Sequence, residues 1–138
     1  LEFLQQRVLA LSCDQPEWVA PQGLAISDFW FDQSLAFARV WLAEEQFEAF
    51  AERWAAARGS VVVLRATVYL DAPAEELLRR IRLRGRRGEE RLTASLLDHL
   101  RESLEDVLRM PDRGPVLRLA NRTLDDAENE ILAAIESA

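Results

Sequence analysis

The stretch Ala66-Thr67-Val68-Tyr69-Leu70-Asp71-Ala72-Pro73-Ala74-Glu75-Glu76-Leu77-Leu78-Arg79-Arg80-Ile81-Arg82-Leu83-Arg84-Gly85 reads as a strand handing over to a helix. Residues 66–70 are apolar and rich in β-formers, and Asp71 ends the run. Pro73 is expected as the first residue of the helix, where a missing N–H costs nothing. Leu77, Leu78 and Ile81 then fall on one face, with arginines on the other, until Gly85 stops the helix.

The same alternation continues in both directions. Downstream, residues 93–109 form a helix with Thr93 as N-cap and Leu97, Leu100, Leu104 and Val107 along one side. Pro111, Gly114 and Pro115 mark a loop. Residues 116–119 read as a strand, and a last helix starts at Thr123 and runs to the end on Ala127, Ile131 and Ile135. Upstream, 1–12 is helical, with Phe3, Leu4, Arg7, Val8 and Leu11 at helical spacing, and 14–22 is a loop. A short apolar strand is expected at 24–27, then an aromatic turn, Asp28-Phe29-Trp30-Phe31-Asp32, and helix at 34–40. Residues 43–57 carry Phe47, Phe50, Ala51 and Trp54 at i, i+3, i+4 and i+7, a helix that Gly59 terminates. This order predicts an α/β fold with buried, parallel strands, organised as one domain over 1–138. Ligands of such sheets gather at the carboxyl ends of the strands, here Asp28, Asp71 and Asn121.

Charge is placed unevenly. The formal net charge is −7, yet residues 79–91 hold seven arginines and two glutamates, a local +5, so the rest sums to −12. That balance argues against general nucleic-acid binding, which rests on broad phosphate neutralisation, and favours a small polyanion. All 17 basic residues are arginine. The absence of lysine excludes Schiff-base chemistry and a G-x-x-x-x-G-K-[ST] phosphate loop within these residues. One cysteine, Cys13, forms no internal disulfide and fits a reducing cytoplasm; with one histidine, His99, it makes neither a zinc site nor a hydrolytic triad. No apolar run is long enough to span a bilayer. The opening residues have no signal-peptide pattern and read as the middle of an amphipathic helix, so a longer natural chain is expected.

Arg80 and Arg84, at i and i+4, point the same way on a helix, and a break at Gly85 lets Arg86 fold over the same volume. Three guanidiniums around one space make a clamp for phosphate oxygens. The plainer alternative is a solvated helix whose arginines pair with Glu75, Glu76, Glu89 and Glu90. Phe29, Trp30 and Phe31 either stack on a planar ligand or belong to the core. Trp41 and Trp54 read as core or dimer contacts.

Arg80-Ile81-x-x-Arg84-Gly85-Arg86, following Tyr69-Leu70-Asp71, resembles the lid of the deoxynucleoside kinases. Phe3-Leu4-x-x-Arg7 resembles their substrate-site helix, 26–32 a bacterial form of their catalytic segment, Leu42-Ala43-Glu44-Glu45 the start of the dimer-side helix, and 96–100 the run after the lid. The likeness covers essentially the whole chain, as the C-terminal two-thirds of such a domain, with the lid at about 79–92. It implies a P-loop-kinase-like parallel sheet flanked by helices, lacking the central first strand. The implied activity is transfer of the γ-phosphate of ATP, with Mg2+, to the 5′-hydroxyl of a deoxynucleoside by a cytoplasmic homodimer.

On that resemblance Arg80 and Arg84 would flank base and phosphates, and Arg84 and Arg86 would meet the transferring group. Glu89 would meet the sugar hydroxyl, Arg7 and Gln33 the nucleobase, and Asn121 and Arg122 the adenine; Trp30, on the reading of the aromatic cluster as a platform, would stack on the base. Members commonly carry an acid followed by arginine and serine where this chain has Ser27-Asp28-Phe29. Asp28 is taken as the base, with Asp32 as rival; the bland reading is that Asp28 caps the turn. The phosphate loop and its strand are expected upstream of Leu1, or else the sheet closes differently, for instance with a second copy. A non-catalytic nucleoside-binding or dimerisation module is the alternative function.

Overall fold

The computed structural model describes residues 2–19, 25–110, 114–120, 128 and 130–133. The chain divides into two compact units, Leu1–Val63 and Leu64–Ala138.

The first unit is built from helices. Helix α1 (Glu2–Leu11) buries Leu4 and Leu11, and a short α2 (Pro16–Val19) follows it. Sequence reading had 14–22 as loop; Pro16 instead opens a single turn, which the Trp18 indole fastens by donating to Ala10 O at 2.9 Å. Helix α3 (Gln33–Trp41) starts from the turn at Phe31, where the buried Ser34 hydroxyl donates to Phe31 O. Helix α4 (Glu44–Ala57) carries the apolar stripe expected of it, with Phe50 and Trp54 buried and Phe47 and Ala51 half-buried. Gln46 closes its first turn by accepting the Ala43 N–H at 3.3 Å. Gly59 does not end the helical path outright; a 3-10 turn (Arg58–Ser60) carries it one turn further. Phe31 and Trp54 stack at 6.2 Å with an interplanar angle of 8°, joining the turn before α3 to α4. Burying a side chain of the size of Leu11 contributes about 1.5–3 kcal/mol.

The strand expected at 24–27 is not formed by its described part. Residues 25–27 join no ladder, and Ile26 is 76% exposed. An apolar run becomes a strand only when a neighbour takes its N–H and C=O groups, and local sequence does not report the neighbour. The β-branched run at 61–63 contributes a single antiparallel bridge, Ser12 to Val61, flanked by Val62 N–H to Leu11 O at 2.8 Å and Cys13 N–H to Ser60 O at 3.1 Å.

The second unit holds the sheet. Strand β1 (Thr67–Asp71) pairs in parallel with β2 (Val116–Ala120), with Thr67 opposite Val116 and Asp71 opposite Ala120. The crossover between them carries α5 (Ala74–Arg84) and α6 (Ala94–Leu108), which pack on each other. This is the parallel α/β arrangement expected, a partial P-loop-kinase-like fold. Pro73 is the N-cap of α5 and not its first helical residue; its ψ of 144° is extended, a boundary shift of one position. Thr93 caps α6, its hydroxyl accepting the Leu96 N–H at 3.2 Å. Tyr69, Ala72, Ala74, Leu97, Val107, Leu108 and Leu119 form the core of this unit. Gly114 turns into β2 with φ of 68°, and a Cβ there would lie 2.9 Å from Arg65 O. The last helix predicted from Thr123 lies partly outside the described residues; 128 and 130–133 are helical.

Candidate functional site

Each unit carries part of the predicted site. In the first, α1 presents Arg7 one turn after Phe3, and the loop before α3 brings Phe29 onto it. The guanidinium carbon sits 3.7 Å from the Phe29 ring centroid and 4.9 Å from that of Phe3. Its Nη1 is buried with no hydrogen-bond partner. Burial pulls the Arg7 pKa down, and the nearby charge of Asp28 opposes that pull. Arginine remains charged all the same, so the stack holds a desolvated cation with a donor to spare.

Asp28 is exposed, in a turn shaped by the Ser27 hydroxyl accepting the Phe29 N–H at 3.3 Å. Its rival Asp32 is committed elsewhere: its side chain is 13% exposed and its Oδ1 lies 3.6 Å from Arg58 Nε. The aromatic cluster divides. Phe31 is core, Phe29 is the platform for Arg7, and Trp30 is half-buried, as is Gln33 at the start of α3.

In the second unit, α5 ends at Gly85 in a left-handed cap with φ of 63°, and Gly88 turns again with φ of 91°. That double reversal brings Glu89 back to Arg84, whose Nη2 donates to Oε1 at 2.6 Å. Arg80 Nε donates to Glu76 Oε1 at 2.7 Å, and Arg79 grips the same carboxylate through Nε and Nη2, at 2.7 and 2.8 Å. Hydrogen bonds from Arg79 and then Arg80 hold Glu76 down to about 2. Arg86 is exposed and in no ion pair among the described residues. So the plainer alternative is realised in part, through Glu76 and Glu89.

At the carboxyl end of β1, Asp71 is held by Arg101 of α6. Arg101 donates to Oδ1 from Nε at 3.0 Å and from Nη2 at 2.8 Å, and to Oδ2 at 3.0 Å; Asp98 lies 3.3 Å from its Nη1. Sequence reading had not paired these residues, which are thirty positions apart; only the Asp98 to Arg101 spacing of one helical turn was visible. Arg118 of β2 pairs with Glu105 and lies over Tyr69 at 5.6 Å. Burial raises the Tyr69 pKa, helped by Asp71 and Glu105. Asn121 and Arg122 lie outside the described residues. A shallow depression of about 430 Å³ on α5 is lined by Glu75, Leu78, Arg79, Arg82 and Leu83, and includes none of Arg80, Arg84 or Arg86.

Among the described residues no cluster of carboxylates, histidine or cysteine fits a divalent ion. No described helix is long and apolar enough to cross a membrane. A family model described as deoxynucleoside kinase matches residues 24–137. No curated protein matches the chain.

Proposed function

Because the chain belongs to the deoxynucleoside kinase family, we propose that it serves phosphoryl transfer from ATP to the 5′-hydroxyl of a deoxynucleoside. The observation that carries this reading is the lid geometry. Arg80 and Arg84 share a face of α5, and the left-handed Gly85 lets Arg86 follow them out of the helix. Such a cationic group stabilises charge spread over a transferring phosphoryl group. In this reading residues 1–138 act as one domain, the C-terminal two-thirds of a kinase whose lid is about 79–92, working as a cytoplasmic homodimer.

ATP supplies the phosphoryl group, and Mg2+ accompanies it in the family. In this chain Asp28 takes the proton of the 5′-hydroxyl as its oxygen bonds to the γ-phosphorus and the bond from that phosphorus to the bridging oxygen breaks, releasing ADP. Exposure suits that part, since an accessible carboxylate can reach the proton of a bound hydroxyl. Arg84 and Arg86 neutralise the phosphoryl oxygens, and Arg80 lies along base and phosphates. Arg7, Trp30 and Gln33 take the nucleobase, Glu89 the sugar hydroxyl, and Asn121 and Arg122 the adenine. Arg7 on its phenylalanine platform suits recognition of a carbonyl or ring nitrogen, because its Nη1 has no partner.

A second reading, a nucleoside-binding or dimerisation module without ATP use, draws on the lack of any lysine in the 138 residues. The deciding experiment is ATP-dependent phosphorylation of the four deoxynucleosides, by this chain and by one lengthened at its N-terminus. Transfer by either, lost on Arg84→Ala, supports the kinase. No transfer by both, with a deoxynucleoside still raising Tm, supports the module.

A further inference from the structure

We propose that Glu89 is a built-in occupant of the arginine clamp: its carboxylate holds Arg84 in the place of a phosphate oxygen, and an arriving polyphosphate displaces it. The inference rests on the reading of Arg84 as a phosphate-binding residue and adds how that residue is kept before the ligand comes.

The pair is not a helical accident. Arg84 and Glu89 are five apart, beyond the i, i+4 reach of one helix face, and they meet only because Gly85 and Gly88 both adopt positive φ. A Cβ on either glycine would meet nothing within 4 Å, so what these positions supply is the turn itself. The turn is stitched further by Glu89 N–H to Arg86 O at 3.4 Å, Leu92 N–H to Glu89 O at 3.1 Å and Gly88 N–H to Glu90 Oε2 at 2.8 Å. A carboxylate presents the guanidinium with the same acceptor geometry as two oxygens of a phosphate.

The strength of the hold separates this pair from its neighbour. Glu76 gives both oxygens to Arg79 and one also to Arg80, a settled network. Glu89 gives Arg84 one oxygen only, and its Oε2 is buried with no hydrogen-bond partner. The half-satisfied carboxylate is the one that exchanges. With side-chain exposures of 46% and 26%, the Arg84–Glu89 pair lies where ion pairs are weak, so a phosphate able to offer more oxygens replaces it. Arg86, in no ion pair among the described residues, is open to the incoming anion at once.

The test is calorimetric titration of pyrophosphate into the full chain at low salt, for wild type, Glu89→Gln, Glu90→Gln and Arg84→Ala. Glu90→Gln removes the same charge one position along, where the carboxylate meets Gly88 N–H and no arginine. Glu89→Gln is expected to bind about fivefold tighter than wild type, clearly more than Glu90→Gln, and Arg84→Ala to lose most of the binding. If Arg84→Ala loses binding while Glu89→Gln gains no more than Glu90→Gln, Glu89 is no occupant although the clamp stands. If Arg84→Ala binds like wild type, the clamp reading fails and takes this proposal with it. Should circular dichroism show Glu89→Gln misfolded, Glu89→Ala, which also removes the carboxylate, is judged by the same comparison.

Discussion

Asp28 and Asp32 stand four residues apart in one turn, and their surroundings separate them. Asp28 is exposed, while Asp32 is packed against Arg58, which also lies 5.6 Å over Trp54. In the chain that shows transfer, Asp28→Asn is expected to lower the phosphorylation rate by about 10²–10⁴-fold, with stability changed by no more than about 0.5 kcal/mol. Asp32→Asn is expected to lower the denaturation midpoint by the equivalent of about 1 kcal/mol, read by urea unfolding. The sequence named both acids and chose Asp28 as the only carboxylate close to a strand's end. It could not show that Arg58, twenty-six positions on, engages Asp32. The same limit hid the stack of Arg7 on Phe29: the local pattern showed an arginine on a helix and an aromatic in a turn. Only the folded chain brings them together.

At the scale of elements, α5 is tied to pH through Glu76. Its folded-state pKa of about 2 lies below the ordinary glutamate value of about 4.3. The stabilisation is therefore complete above the unfolded value and is lost as pH falls towards 2. Glu76→Gln is expected to flatten the pH dependence of stability between about pH 4.3 and 2, measured by denaturant unfolding at a series of pH values. Two glycines give a second contrast. At Gly114 an alanine meets both a φ of 68° and the Arg65 carbonyl at 2.9 Å, whereas at Gly85 it meets only the positive φ. Gly114→Ala is expected to cost about 2–3 kcal/mol and Gly85→Ala about 1 kcal/mol, compared by denaturation midpoint. Helices α3 to α6 were legible because 3.6-residue periodicity is written along one segment. Strands β1 and β2 were legible through their β-branched composition and flanking Pro and Gly. The run at 24–27 had similar apolar character, but its described residues, 25–27, join no ladder, since pairing is a property of two segments. The short α2 was missed because Pro16 was read as loop, although proline equally starts a helix.

For the molecule as a whole, charge is the feature with the longest reach. A net −7 with a local +5 at 79–91 sets a general repulsion of anions against one attractive patch. Pyrophosphate binding is expected to weaken steeply between 20 and 200 mM salt, about as screening shortens from some 20 Å to 7 Å; titration across salt concentrations measures it. That patch was fully legible, being composition, and so was the family likeness carried by motifs in order. Which carboxylates hold which arginines was not, because Glu75, Glu76, Glu89 and Glu90 offered equal claims; the folded helix gives Glu76 to Arg79 and Arg80, and the turn at Gly85 and Gly88 brings Glu89 to Arg84.

The division at Val63 has a spectroscopic consequence. All four tryptophans, Trp18, Trp30, Trp41 and Trp54, belong to the first unit, and the single tyrosine, Tyr69, belongs to the second. Emission excited in the indoles therefore comes from the first unit alone, while Tyr69, buried in β1, emits from the unit of the sheet and lid. Comparing the two colours during one denaturation tells whether the halves melt as a single cooperative body or in turn.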